Sequence, residues 1–233
     1  MEHPKDISSV RYTNCVCFFQ RNGEHFGLVR LYRGDFTIIP LKMAKQHRPT
    51  VPVTLDPNTN HPLLVISDDG KEVRCTQTPQ ELDDHPKRFD QHCCVLGKVV
   101  LCGVRKKLVY YEVDVKGKTE WSLGLMDVAV SHKGNINFCS DQHLTIQLQN
   151  GHYWANTPQK LELVPRNTLE RVGVVVHLWI GTVTFYDATS GDYLCSFEGI
   201  DINQRFYPMF NPGPFSEENS NPLIITQTNN IPC

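Results

Sequence analysis

The sequence has no long hydrophobic run. Its most apolar stretch, 172–180, is interrupted by His177, and a membrane-spanning helix needs roughly 20 apolar residues. The polar start, MEHPKDISSVRY, lacks the apolar centre of a secretory leader, and the chain has no Asn-x-Ser/Thr acceptor. The expectation is a cytoplasmic protein that spans no membrane. An excess of charge of either sign is also missing. With 23 Lys+Arg against 25 Asp+Glu, the formal net charge is −2, so no global field draws the chain to nucleic acid. Metal-ligand spacing is absent as well. The closest cysteine pairs are Cys15/Cys17 and the adjacent Cys93–Cys94, and neither suits a closed tetrahedral zinc site. No metal and no other cofactor is therefore expected. A Gly-rich phosphate loop, a Gly-x-Ser-x-Gly elbow, heptads and internal repeats are all lacking.

What is present is enough apolar material for a real core: 40% of the 233 residues are hydrophobic. The nine cysteines are odd in number, which argues against a secreted disulfide framework. They read as reduced, mostly buried thiols that behave as small hydrophobes. Runs rich in Val, Ile, Tyr, Phe and Thr recur about every 8–15 residues between Gly, Pro, Asn and Asp clusters, the pattern of an all-β sandwich or barrel. The runs 63–67, 108–115, 121–128, 144–148, 171–177, 182–187 and 193–197 are predicted strands, and a short helix is predicted over 79–84. Turns are expected at Asp68-Asp69-Gly70, Lys116-Gly117-Lys118, Asn150-Gly151 and Ser190-Gly191-Asp192. Before them, 16–20, 26–32 and 36–41 read as a small meander, with Pro49 and Pro52 marking a joint. The Arg33-Gly34-Asp35 tripeptide within it reads as a polar turn and Arg105-Lys106-Lys107 as a solvated loop.

From Val51 the chain resembles the B30.2 domain. Val53-Thr54-Leu55-Asp56-Pro57-Asn58-Thr59, His61-Pro62, Leu64–Lys71, Pro86-Lys87-Arg88-Phe89-Asp90 and Val95-Leu96-Gly97 resemble its PRY opening. Tyr110–Val115, Trp121–Leu125, Val172-Gly173-Val174, Val183–Asp187, Tyr207–Phe210 and Pro222–Ile225 resemble its SPRY part, in order. The flavour is that of fish bloodthirsty-like members of the tripartite-motif family of RING-type E3 ubiquitin ligases. The resemblance implies a bent, jelly-roll-like antiparallel β-sandwich whose loops bind a protein target. It divides the chain into an unassigned segment 1–49, a B30.2 domain 50–227 (PRY about 50–105, SPRY about 106–227) and a tail 228–233. In such ligases catalysis belongs to a RING, and no RING-like cysteine/histidine array, B-box or coiled coil is read here. The chain is therefore expected to be no enzyme, and to be a monomer. Two departures stand out. An Asp-Tyr-Glu-x-Gly stretch of the family is replaced by His177-Leu178-Trp179-Ile180-Gly181, and tryptophans near Thr145-Ile146 are replaced by Leu144, Gln147 and Gln149.

Candidate partner contacts follow from loop position and from these departures: Gln147, Gln149, Tyr153, Trp154, Trp179 and Phe210. Aromatics presented near loops are the usual anchors of protein interfaces. Trp154 is read equally as core. For Trp179, a strand over 172–181 would place it with His177 opposite the inward valines, either under a loop or in a binding patch. Trp121 is read as core. The enzymatic alternative is a Cys–His pair, for which His92-Cys93-Cys94 is the most suggestive cluster, although adjacent strand residues face opposite ways. Two further alternatives are a decoy B30.2 copy and the detached end of a nucleotide-binding immune receptor.

Overall fold

β-Branched and aromatic residues fill the runs that become strands, because their side chains pack well on a pleated, half-buried surface. The computed structural model describes residues 52–103 and 108–226, and two short strands before them, β1 (Phe18–Arg21) and β2 (Glu24–Gly27), which pair antiparallel. The rest of the expected meander, the Arg33-Gly34-Asp35 turn and the Arg105–Lys107 loop lie outside the described residues. One seven-stranded sheet contains β5 (Val95–Leu96), β6 (Leu101–Cys102), β8 (Trp121–Asp127), β9 (His143–Gln149), β10 (His152–Ala155), β11 (Leu161–Leu163) and β15 (Arg205–Asn211). Its order is β11-β10-β9-β8-β15-β5, with β6 also on β15. The other contains β3 (Leu64–Ile66), β4 (Glu72–Cys75), β7 (Val109–Asp114), β12 (Arg171–His177), β13 (Thr182–Asp187), β14 (Tyr193–Glu198) and β16 (Leu223–Thr226). These run in the order β14-β13-β12-β7-β16-β4-β3, and every pairing is antiparallel. The expected all-β sandwich is what forms.

The main core lies between the sheets and takes inward residues from both: Tyr111, Val113, Val172, Val174, Val176, Val183 and Phe185 from one, Trp121, Leu123, Leu125, Ile146, Phe206 and Phe210 from the other. Tyr111 crosses the gap. Its ring meets Phe210 at 6.2 Å, and its hydroxyl donates to the Gly124 carbonyl at 3.3 Å. Both outer faces are partly covered too. Phe89, Cys94, Leu96, Met126, Ile136 and Met209 cluster behind the first sheet; Tyr110, Val175 and Tyr186 cluster behind the second. This explains why 172–176 reads as a continuous apolar run, since strands buried on both faces need not alternate.

The predicted helix over 79–84 does not form. The backbone there is irregular because its polar groups are directed elsewhere: Gln80 N–H donates to Pro62 O at 2.9 Å, and the Asp83 carbonyl accepts from Arg88 Nε at 3.0 Å. The buried Arg88 guanidinium also donates to the carbonyls of Pro57 and Asn60. A cation that gathers carbonyls from 57, 60 and 83 fixes the segment as a loop. The strands without a strand expectation are β4, β5, β6, β10, β11, β15 and β16, and all of them except β15 have four residues or fewer. β4 alternates exposed and buried with only two apolar residues, and β10 follows directly on the Asn150-Gly151 turn. Asn150 (φ 52°) and Gly151 (φ 77°) form the two-residue connection expected there.

Gly124 lies in the middle of β8 at φ 151°, where a Cβ would meet Leu144 O at 2.2 Å and Thr145 Cα at 2.7 Å. Both the backbone conformation and the close approach of β9 exclude a side chain. Gly124→Ala is therefore expected to destabilise the domain by about 3 kcal/mol, read as a fall in urea midpoint. An unchanged midpoint would contradict this packing. His143 generates a pH prediction. It is buried at the start of β9, its Nδ1 lies 3.0 Å from Ser140 Oγ, and burial pushes its pKa down to about 4. With the folded value below the unfolded one of about 6.5, its stabilising effect is complete above pH ~6.5 and is lost as pH falls toward about 4. Burial lowers His61 and His132 as well, in the same direction. Denaturation midpoints should drop from pH 7 to pH 5, and His143→Asn should flatten part of that drop.

Candidate functional site

The β9–β10 hairpin and β11 display one candidate surface. Their register aligns Trp154 with Gln147 on one side and Glu162 on the other, so these three project from the outer face of the sheet. Gln149 and His152 pair at the turn and share that face by alternation. Lys160 Nζ sits 4.9 Å from the Trp154 ring centroid and donates to Gln149 Oε1 at 3.1 Å. Gln147 donates to Gln149 at 3.2 Å and accepts from Asn156 at 3.2 Å. His152 Nδ1 and Glu162 Oε1 are 2.8 Å apart. The result is a half-buried indole framed by amides and a cation, suited to polar contacts around one aromatic anchor.

Tyr153 takes the opposite face. Its ring packs 6.2 Å from Trp121, and its hydroxyl accepts from Leu169 N–H at 3.1 Å. It is thus a wall of the core rather than a loop-presented contact. Phe210 is likewise corrected. It is 0% exposed, opposite Leu123 on the inner face of β15, because its register places it in the row facing Tyr111.

Trp179 stands elsewhere, and on no strand. β12 ends at His177, and Leu178–Ile180 forms a single 3-10 turn closed by Gly181 in the left-handed conformation (φ 75°). The turn is anchored by buried Leu178 and by the bond from Ile200 N–H to Gly181 O, 3.2 Å. A Cβ at Gly181 would meet Ile200 O at 2.7 Å, so glycine is required both for conformation and for approach. Tethered this way, the turn pushes Trp179 (45% exposed) and Ile180 (39%) outward. Ile202 (46% exposed) joins them, since a Cβ at Gly103 would lie 2.7 Å from Leu178 O and 2.8 Å from Ile202 Cα. The sequence reading missed Ile180 and Ile202. The signal for Ile202 was an isolated aliphatic side chain within Asp201-Ile202-Asn203.

The six candidates therefore do not form one rim. Gln147 and Trp154 belong to a row that passes through Ser122 to Asn211, at one end of β15. The Trp179 turn abuts the segment that pairs with Arg205 and Phe206, at the other end.

The Cys–His cluster is rearranged as well. His92 Nε2 accepts from Ile136 N–H at 3.0 Å, whereas the Cys93 sulfur lies 3.9 Å from His61 Nδ1. Among the described residues no group of three His, Cys, Asp or Glu side chains is arranged to hold a metal ion. No helix among them is long and apolar enough to cross a membrane.

Comparison with known proteins adds the family. The model of the SPRY-associated domain PRY matches residues 53–101, and that of the SPRY domain matches 108–223. Mouse "Probable E3 ubiquitin-protein ligase TRIML1" is 37% identical over 179 residues, 74% of this chain and 37% of that protein. Human "Pyrin" is 32% identical over 212 residues, 89% of this chain and 26% of that protein. The chain thus spans only between 26% and 37% of the length of these relatives. The crystal structure of the TRIM65 PSpry domain shares the fold with a TM-score of 0.64 at 16% identity, covering 84% of this chain and 99% of that one. With both domain models matched in succession along the sandwich, the chain belongs to the PRY–SPRY (B30.2) family, of the tripartite-motif type: a protein-interaction module and not a catalytic domain.

Proposed function

We propose that this chain selects a protein target for a ubiquitination or innate-immune pathway, and that the Trp179–Ile180–Ile202 rim is its principal anchor. The observation that carries this reading is the gathering of three exposed large apolar side chains on two tethered loops at one edge of the sandwich. An exposed apolar cluster on a rigid support supplies the central burial that dominates a protein interface, while polar neighbours exclude water around it. Gln147, Gln149 and Trp154 form a second, more polar contact surface that a large target reaches from the other end of β15. Similarity to a relative named as a probable ubiquitin ligase supports the ubiquitination setting. In this reading the chain works in the cytoplasm as a monomer, binds no nucleic acid, and resembles fish bloodthirsty-like members in its target-facing role. The near-zero net charge agrees with docking by shape rather than by a global field.

Proximity labelling in cells identifies the partners, and purified variants then test the rim. Trp179→Ala combined with Ile202→Asp should weaken partner binding at least ~10-fold, the cost of losing one interface anchor, with a melting temperature within about 2 °C of the parent. Trp154→Ala should weaken it by a smaller factor. If the folded double variant retains every labelled partner at parental affinity, the assignment of the rim is wrong.

A further inference from the structure

The outer face of the second sheet carries two carboxylates in opposite situations. Strand alternation sends Cys195 and Phe197 of β14 into the core, so Ser196 and Glu198 project outward, and the 2.9 Å bond between Ser196 Oγ and Thr184 Oγ1 lies on that side. On β12 the same alternation turns Val174 and Val176 inward and Val175 and His177 outward. Glu112 of β7 shares this outer face and is matched: Tyr110 Oη donates to its Oε1 at 2.6 Å, and Arg171 Nη1 lies 3.3 Å from its Oε2. Glu198 is half-buried at the end of β14, yet among the described residues no hydrogen bond or ion pair reaches its carboxylate. Burial pushes its pKa up, with no cation to oppose the shift.

The register puts this carboxylate beside the Trp179 rim. Thr182 pairs with His177 on one side and with Glu198 on the other, so the three form one outward row. Neighbouring strands are about 4.8 Å apart, so His177 and Glu198 stand about 10 Å apart across Thr182. The His177 ring lies 5.5 Å from that of Trp179, which brings the indole to one end of the row. Asp201 is committed to its own turn, accepting from Asn203 N–H at 2.8 Å and from Asn203 Nδ2 at 3.0 Å. Glu198 is thus the carboxylate at the rim that the domain leaves without a counter-charge.

We propose that the rim takes an arginine side chain of its protein partner, seated between the Trp179 indole and the Glu198 carboxylate, with an adjacent apolar residue of the partner on Ile180 and Ile202. This rests on the reading of the rim as the target anchor, and adds to it a requirement on the target's sequence: a cation beside an apolar residue. Arginine suits the spacing better than lysine, because a planar guanidinium covers an aromatic face while its edge donates to a carboxylate. It also supplies the charge that offsets the desolvation of Glu198.

The test uses the full chain labelled with 5-fluorotryptophan. Its three tryptophans report separately from the core (Trp121), the β9–β10 surface (Trp154) and the rim (Trp179), and Trp179→Phe assigns the rim resonance. The probes are acetyl-Leu-Arg-Leu-amide and the same peptide with citrulline, which keeps the shape of arginine without its charge. The arginine peptide should shift the Trp179 resonance and bind at least ~5-fold more tightly than the citrulline peptide. In Glu198→Gln the two peptides should bind alike, with a melting temperature no lower than that of the parent. Equal binding of both peptides by the parent, a preference that survives Glu198→Gln, or a shift of Trp154 in place of Trp179 would overturn the arginine seat. So would a lower melting temperature of Glu198→Gln, which would make the carboxylate a support of the fold. In each of these cases the rim reading still stands if the citrulline peptide shifts Trp179. If neither peptide moves Trp179, the arginine seat is overturned, and the rim itself is judged by the labelled partners of the Trp179→Ala, Ile202→Asp variant.

Discussion

The structure depends on how closely β8 lies against its neighbours. It runs through the middle of its sheet, paired to β9 on one side and β15 on the other, and its inner residues Trp121, Leu123 and Leu125 face the opposite sheet. The absence of a side chain at Gly124 lets β9 approach to a distance that any Cβ would block, and turns the Gly124 carbonyl toward Tyr111 of the facing sheet. One residue thereby sets both the spacing within a sheet and a hydrogen bond between sheets. Displacing it would shift the Trp121, Tyr111 and Phe210 rings together, since close-packed interiors transmit rather than absorb strain.

Outside this core the domain covers its remaining apolar surface with loops, and the loops are held by specific polar groups. Arg88 is the clearest case. A buried guanidinium is tolerated when its donors are matched, and here carbonyls from 57, 60 and 83 surround it, with the Asn60 side chain at 3.0 Å. Phe89 beside it stacks on His132 at 4.9 Å and seals the outer cluster. The segment over 76–92 is thus structural support for the sheet edge on which it folds back.

The surface that remains is divided. The Trp154 face is an aromatic among amides and a lysine; the Trp179 rim is aliphatic and aromatic on two tethered loops. In the proposed function, different chemistry at two ends of β15 would let a target be gripped at two points, with the apolar rim as the principal anchor.

The strands legible in the sequence were those with sustained apolar or β-branched runs: 171–177 and 182–187 form with the same bounds as β12 and β13, and the Asn150-Gly151 turn lies where its dipeptide placed it. These are local properties, governed by alternation and by residues that accept positive φ, and they also identify the family through the order of its motifs. Sequence did not reveal which face each aromatic would occupy. Tyr153 and Trp154 are neighbours in the chain, yet strand alternation sends one to Trp121 and the other to Lys160. Phe210 looked available near a loop but was claimed by the core through its register with Leu123. Trp179 was freed by a turn that needs Ile200, about twenty residues downstream, to hold it, and Cys93 lies against His61 while His92 accepts from Ile136. Composition and periodicity therefore determined the class of fold and its strands. The candidate surfaces were decided only by tertiary structure, because each depends on contacts between segments that no local pattern encodes.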